Sequence, residues 1–400
     1  MILTIERLDH HGRGISHLDG KIIFIENALP NEKVRVEFTK VTNKYIEAKV
    51  VDYIEISNKR TKSKCPIYEE CGGCHLRHMP YEDTITFKRQ KLKEILKKYA
   101  GIEADVKIIG SPQQNYYRNK IEVKIKNGVV GFYKKRTHDI VEMDRCLNAS
   151  ESINALLLNM DLFHLMNAEV TIKSNYNGEL LIVINTDEKP NIDIETLRDK
   201  HKIVGIIFNG KTIFGSDNFM ELIDSHFFKE TYNSFFQVNN SVNKIIFDII
   251  KDNINKDDIV LDLCCGVGTL SIIASEKANE VYGLEIVENA IKDALINLRM
   301  NKRDNIKYVL GDAFSKIEHV KKEISTIIID PPRSGISDKG IKNILKINAK
   351  KIIYIACDPV TLARDLNILK EKYNVASVTA LDMFPYTYHV ESLMVLEKKN

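Results

Sequence analysis

The sequence predicts an α/β protein. A doubly wound, Rossmann-like parallel sheet lies in its C-terminal part, preceded by a small OB-like β-barrel and a central α+β unit. Three observations predict it. From residue 231 short apolar runs alternate with helix-length amphipathic stretches. Residues 1–55 instead carry the β-rich runs GKIIFIENALP, EKVRVEF and YIEAKVVDYI, broken by His11-Gly12 and Leu18-Asp19-Gly20. Between the two, Asn-Gly pairs at 127–128, 177–178 and 209–210 mark tight turns. The expected domains are 1–55, 56–230 and 231–400, as a chain of 400 residues allows.

Each element follows in order. After the barrel, a polar linker leads into a cysteine cluster, and YEDTITFKRQKLKEILKKYA (81–100) reads as a basic amphipathic helix. Residues 101–230 alternate strands with one helix near 150–166. A helix near 240–253 opens the C-terminal part, followed by the strand IVLDLCC, a Gly-rich turn and a helix near 269–277. Then come strand EVYGLEI, helix 288–300, strands IKYVLGD and STIIIDPP, helix 338–347, strand KKIIYIACD, helix 360–372 and a closing strand pair near 375–396. In such folds ligands bind at the carboxyl ends of the strands.

Composition narrows the function classes. With 44% hydrophobic and 28% charged residues the chain is globular, which excludes disorder. No apolar run approaches the ~18 residues of a membrane span, and MILTIERLDHHGRG lacks the pattern of a signal peptide. A cytoplasmic protein with no membrane partner is expected. Residues 1–150 carry a net charge of +8 and the remainder −5, which points the N-terminal third toward a polyanion.

The turn in VLDLCCGVGTL (260–270) has Gly266 and Gly268 where backbone must approach a ligand closely. The next strand ends in Glu285, placed to accept hydrogen bonds from ribose hydroxyls. The spacing is DxxxGxG rather than GxGxxG, and it starts from Asp262, an acid suited to a cationic amino-acid ligand. This favours S-adenosylmethionine over a dinucleotide. Asp312, after the third strand, is expected to face the adenine, or to cap a helix.

Cys357, in IIYIACDP, follows a buried strand, which also suits plain core packing. The neighbouring strand ends in DPPRSG (330–335), with Asp330 and the planar cation Arg333, and MFPYTYHVESL (383–393) brings Glu391 toward the same face. A thiol, a carboxylate and a methyl donor together suggest methylation of a uracil ring. C5 of uracil becomes nucleophilic once a thiolate adds to C6, and a base must later remove the C5 proton. Cys357 is the expected nucleophile and Glu391 the expected base.

FFQVN (235–239), DLCCGVG (262–268), DPPRSG, YIACDP and MFPYTYHVESL, in this order, resemble the TrmA-type RNA uracil-5 methyltransferases over nearly the whole chain. Residues 1–55 resemble the TRAM domain, a small RNA-binding barrel. The resemblance implies a class I methyltransferase domain. In it Gln237, the Cys264 position, Glu285 and Asp330 line the S-adenosylmethionine site, with Cys357 as nucleophile and Glu391 as base. Two positions depart from the family pattern. Ala356-Cys357-Asp358 stands where Ser-Cys-Asn is usual, and Cys264 where an aromatic residue is usual. An acid beside the thiol is expected to raise its pKa if both face the pocket.

Cys65, Cys71, Cys74 and the distant Cys146 offer four thiolates, enough for a zinc site or a cubane iron–sulfur cluster. The resemblance points to the latter: CGGC with the later EMDRCL matches the [4Fe–4S] motif of the ribosomal-RNA branch. Lys64, Arg77 and His78 are then expected on an RNA-contacting surface. Tyr116, Tyr117, Arg118 and Lys120, with Phe132, Tyr133, Lys134, Lys135 and Arg136, are expected to divide base stacking and phosphate contact between them. Phe235 and Phe236 are expected at a domain interface.

The expected activity is S-adenosylmethionine-dependent formation of 5-methyluridine in 23S rRNA by a monomer that does not act on DNA. The rival substrate is the T-loop of tRNA. The rival of another class is a non-catalytic RNA-binding or assembly factor, with Asp358 marking lost activity.

Overall fold

The computed structural model describes residues 1–317 and 320–400. Residues 2–55 form a six-stranded sheet with Ile2–Thr4 and Arg7–Leu8 at its two edges. Alternation along Lys33–Val41 and Tyr45–Glu55 sends Val34, Val36, Ile46 and Ala48 inward onto Ile23 and Ile25.

The helix expected over 81–100 is α-helical over Tyr81–Ile95 and widens to a π-turn over Leu96–Ala100. Gly101, in the left-handed region at φ 66°, stops it. A seven-stranded sheet follows, from Lys120–Lys126 to Lys211–Gly215. The Asn-Gly pairs at 127–128 and 209–210 turn hairpins with φ positive at both residues, the signature of a type I′ turn. The helix foreseen near 150–166 is two pieces, Glu151–Leu157 and the 3₁₀ turn Met160–Phe163.

The C-terminal sheet has eight strands. In spatial order they are Ile306–Leu310, Glu280–Glu285, Ile259–Leu263, Thr326–Ile329, Lys351–Ala356, Glu391–Lys398, Tyr373–Leu381 and Val106–Ile109. Helices Tyr81–Ile95, Asp338–Ile347 and Pro359–Leu369 cover one face through Leu92, Ile95, Ile341, Ile344 and Leu362. Asn240–Asp252 and Thr269–Ser275 cover the other through Ile246, Phe247, Ile272 and Ile273. The edge strand Val106–Ile109 comes from the span 56–230, which the sequence treats as one central unit. Together with Tyr81–Ile95 it packs on the C-terminal sheet instead. Its four residues are too few to announce which sheet they join. No helix is long and apolar enough to cross a membrane among the described residues.

Candidate active site at the carboxyl edge of the sheet

Register builds the site. Leu263 pairs in parallel with Leu284 and Ile329, so Cys264, Glu285 and Asp330 follow side by side where their strands end. Ile329 pairs with Tyr354, which brings the end of the Lys351–Ala356 strand beside them. The strand Glu391–Lys398 runs antiparallel, so its first residue lies at the carboxyl ends of the others. Its pairing of Ser392 with Ala356, continued by one step, sets Glu391 opposite Cys357.

These residues line one cavity of about 640 Å³ with Gln237, Gly266, Asp312, Arg333 and Phe384. The Gly-rich turn forms its floor. Cys264 takes the left-handed region at φ 65°, unusual for a residue with a side chain, and Gly266 follows at φ 55°. A Cβ added at Gly266 would meet nothing within 4 Å, whereas one at Gly268 would lie 2.2 Å from the Tyr308 hydroxyl. The turn is therefore open on the cavity side and closely packed behind.

The Glu285 carboxylate takes the N–H groups of Ile286 and Val287 on one oxygen, at 2.9 Å each, and that of Gly266 on the other at 3.0 Å. A carboxylate has about four lone-pair positions, so one remains for a ligand. Asp312 lines the cavity and also accepts from the Ser315 N–H at 2.7 Å, so the capping role accounts for part of its placement. Asp262 departs from the expectation of a ligand-facing acid. It is 1% exposed, accepts from the Ser271 hydroxyl at 2.6 Å, and is not among the cavity-lining residues. Burial pushes it up to about 7, opposed by the Ser271 hydrogen bond.

Burial dominates the charges here. It raises the Cys357 thiol to about 11, with Glu391 adding to the rise and Arg333 pulling it down. Glu391 is raised well above the carboxylate range by burial and by Asp330, again opposed by Arg333. Its Oε1 is buried without a hydrogen-bond partner, the kind of group that native structures keep for a purpose. Burial lifts Asp330 to about 7, against the pull of Gln237. Asp358 does not act on the thiol as expected. Its carboxylate caps the helix Pro359–Leu369, accepting from Val360 N at 2.8 Å and Thr361 N at 3.2 Å.

The family model described as tRNA (Uracil-5-)-methyltransferase matches residues 80–399. The chain belongs to this family. A TRAM-domain model matches residues 2–51, within the N-terminal sheet. Two bacterial relatives are described only as uncharacterized RNA methyltransferases. That of Halalkalibacterium halodurans is 32% identical, covering 100% of this chain and 97% of the relative. That of Clostridium tetani is 33% identical, covering 98% and 95%. The fold is that of Pyrococcus abyssi tRNA (uracil-54, C5)-methyltransferase, solved with S-adenosyl-L-homocysteine. The TM-score is 0.80 at 24% identity, covering 99% of this chain and 100% of that one.

Other residues of the chain are placed differently from expectation. Arg77 and His78 are buried, not surface residues. Arg77 donates to Cys74 Sγ at 3.4 Å, Asn115 at 3.0 Å and Asn148 at 2.6 Å, and His78 bonds the Tyr68 hydroxyl. Tyr117 is also buried. Lys134 pairs with Glu70, Lys135 donates to Asn27, and Arg136 bridges Glu26 and Glu47, so these cations mostly hold the N-terminal sheet in place. Phe236 is buried as expected of an interface residue, but Phe235 is 72% exposed at the cavity.

Sequence reasoning missed the buried Lys88–Asp382 ion pair, joined by the Tyr81 hydroxyl at 2.7 Å, which clamps the stretch leading to Glu391. It also missed Asn239, which ties FFQVN to Ser111 and to the Met383 carbonyl. Neither had a signal, because the partners are far apart in sequence. Among the described residues no group of three or more His, Cys, Asp or Glu is placed as a metal site. All seven cysteines are free thiols.

Proposed function

We propose that the protein methylates C5 of a uridine in RNA, using S-adenosylmethionine as methyl donor. The observation that carries this reading is the register that sets Cys357 opposite Glu391 in the wall of a cavity that an open glycine turn also lines. Gln237, Cys264, Glu285, Asp312 and Asp330 would hold the donor. When bound, it supplies an electrophilic methyl group on a sulfonium.

The chain's own residues do the rest. Because an RNA base is stacked, the target must be extruded into the cavity. The Cys357 thiolate adds to C6, forming a C–S bond and moving the ring's electron pair toward C5 and the O4 enolate. Arg333, whose charge favours the ionised forms of both Cys357 and Glu391, lowers the cost of producing the thiolate. Once C5 carries the methyl group, Glu391 takes the C5 proton. The C–S bond breaks, the double bond returns and the thiolate is released. Glu391 must lose its own proton to solvent before that step, which the Arg333 charge favours; once ionised, a carboxylate whose proton affinity is raised by burial is a stronger base.

RNA containing 5-fluorouracil tests this, since fluorine cannot leave as a proton. An adduct that survives denaturation and vanishes in Cys357→Ala is expected. Intact protein without adduct would make the chain a binding or assembly factor.

For the substrate we propose 23S rRNA, with tRNA as the rival. The support is the motif match of Cys65, Cys71, Cys74 and Cys146 to a [4Fe–4S] site, together with the chemistry of the donors. All four are thiols, although among the described residues they are not grouped as a metal site. N–H groups of Gly73, Arg77 and Asn148 point at the sulfurs of Cys71 and Cys74. Such a cluster would staple the 65–74 loop to Cys146. Iron and sulfide in stoichiometric amounts after anaerobic purification are expected; zinc without iron would refute the cluster. Methylation of 23S against tRNA transcripts decides the substrate.

A further inference from the structure

Arg333 lines the same cavity as Cys357 and Glu391, yet it stands on a loop, and loops hold geometry poorly unless something fixes them. That something is on the helix that begins just after Cys357. Asp365 is fully buried. One of its oxygens accepts the Ile336 N–H at 2.9 Å and the Tyr354 hydroxyl at 2.7 Å. The other accepts the Arg364 guanidinium through Nε at 2.9 Å and Nη2 at 2.7 Å. The same Nη2 donates to the carbonyls of Ser334 and Ile336, at 3.0 Å each.

Gly335 lies beneath this knot at φ 70°. A Cβ there would stand 2.6 Å from Arg364 Nη2 and 2.8 Å from Asp365 Oδ2, so the grip requires a glycine. The backbone of 334–336 is thereby tied to Tyr354, on the strand that ends at Ala356 just before Cys357, and to the helix that follows it. Neither Arg364 nor Asp365 lines the cavity.

We propose that Arg364 and Asp365 are positioning residues: they lock the 330–336 loop so that Arg333 keeps its place in the cavity wall that also holds Cys357. This rests on the reading of Cys357 as nucleophile. The two residues touch no reacting atom and act through Arg333.

The test is the pH profile of Cys357 alkylation by iodoacetamide, followed on its own peptide, with no RNA or methyl donor present. Arg333→Gln is expected to move the profile to higher pH. Arg364→Gln is expected to move it the same way, slowing alkylation about fivefold at pH 8 through the smaller thiolate fraction. The double variant should be no slower than the slower single one, because one residue works through the other. Arg364→Lys, which keeps a donor for the two carbonyls, should recover part of the rate.

An unchanged profile in Arg364→Gln, or a shift that adds in full to that of Arg333→Gln, would overturn the proposal. Arg364 is half exposed, but its loss takes the counter-charge from the buried Asp365, whose other oxygen keeps the Ile336 N–H and the Tyr354 hydroxyl. Should Arg364→Gln melt early for that reason, Gly335→Ala carries the same comparison from the loop itself. A profile shift in a protein that forms no fluorouracil adduct would fault the proposed function alone. Adduct formation without a shift would fault the positioning role alone.

Discussion

Two groups in the cavity are held away from their reactive forms. With the Cys357 thiol near 11, its thiolate fraction rises about tenfold per pH unit through the neutral range. The rate of adduct formation on fluorouracil RNA should therefore climb between pH 6.5 and 9; a flat or falling profile would contradict the assignment. Glu391→Gln should still form the carbon–sulfur bond but stall before proton removal, so that a methylated adduct accumulates on ordinary RNA. Loss of activity with no adduct would remove Glu391 from the role of base. Asp358→Asn should change the rate by less than about twofold, because asparagine caps a helix about as well. Asp358→Ala should cost about 1 kcal/mol in stability, measured by denaturant unfolding. The departure at Asp358 thus bears on the start of a helix and not on the thiol. At this scale the motifs were legible because each sits where a strand ends, whereas the direction of a side chain such as Asp262 or Asp358 depends on the first turn of the helix beside it.

Among elements, the stretch between Leu381 and Glu391 is held from outside. Lys88 and Asp382 are fully buried, and Lys88 also donates to the Phe384 carbonyl at 2.8 Å. Lys91 reaches the Tyr388 carbonyl at 2.9 Å, and the backbone N–H groups of His75 and Leu76 meet the Tyr386 carbonyl. The helix Tyr81–Ile95, read from the sequence as basic and amphipathic, thus spends two of its lysines underneath the loop. Asp382→Ala leaves Lys88 buried without its counter-charge and should cost roughly 3–5 kcal/mol, seen as a lowered unfolding midpoint. Replacement of both residues by apolar ones of similar volume should be far milder. The succession of strands and helices along the C-terminal part was readable from periodicity. Register was not, since it is set by pairings between residues far apart in sequence, and register is what sets Cys357 opposite Glu391.

At the scale of the whole molecule, the N-terminal sheet is attached by polar contacts and a small apolar cluster of Leu29, Leu76 and Met79. Arg136, between Glu26 and Glu47, is one of these ties. Arg136→Glu should loosen the sheet, raising the KM for RNA several-fold while leaving kcat nearly unchanged; a fall in kcat alone would show that the sheet does more than hold RNA. The sequence suggested a three-part layout and gave no sign that Val106–Ile109 would cross to the C-terminal sheet, because a short apolar strand fits any sheet edge. The strand that begins at Glu391 lies inside its sheet, between Lys351–Ala356 and Tyr373–Leu381, though it follows both in the chain. During translation those two neighbours emerge with facing edges unpaired and must wait for a late arrival to slide between them. Until it does, a nascent chain displays the thiol without the acid opposite it, and a ribosome paused before codon 391 would carry a half-built enzyme.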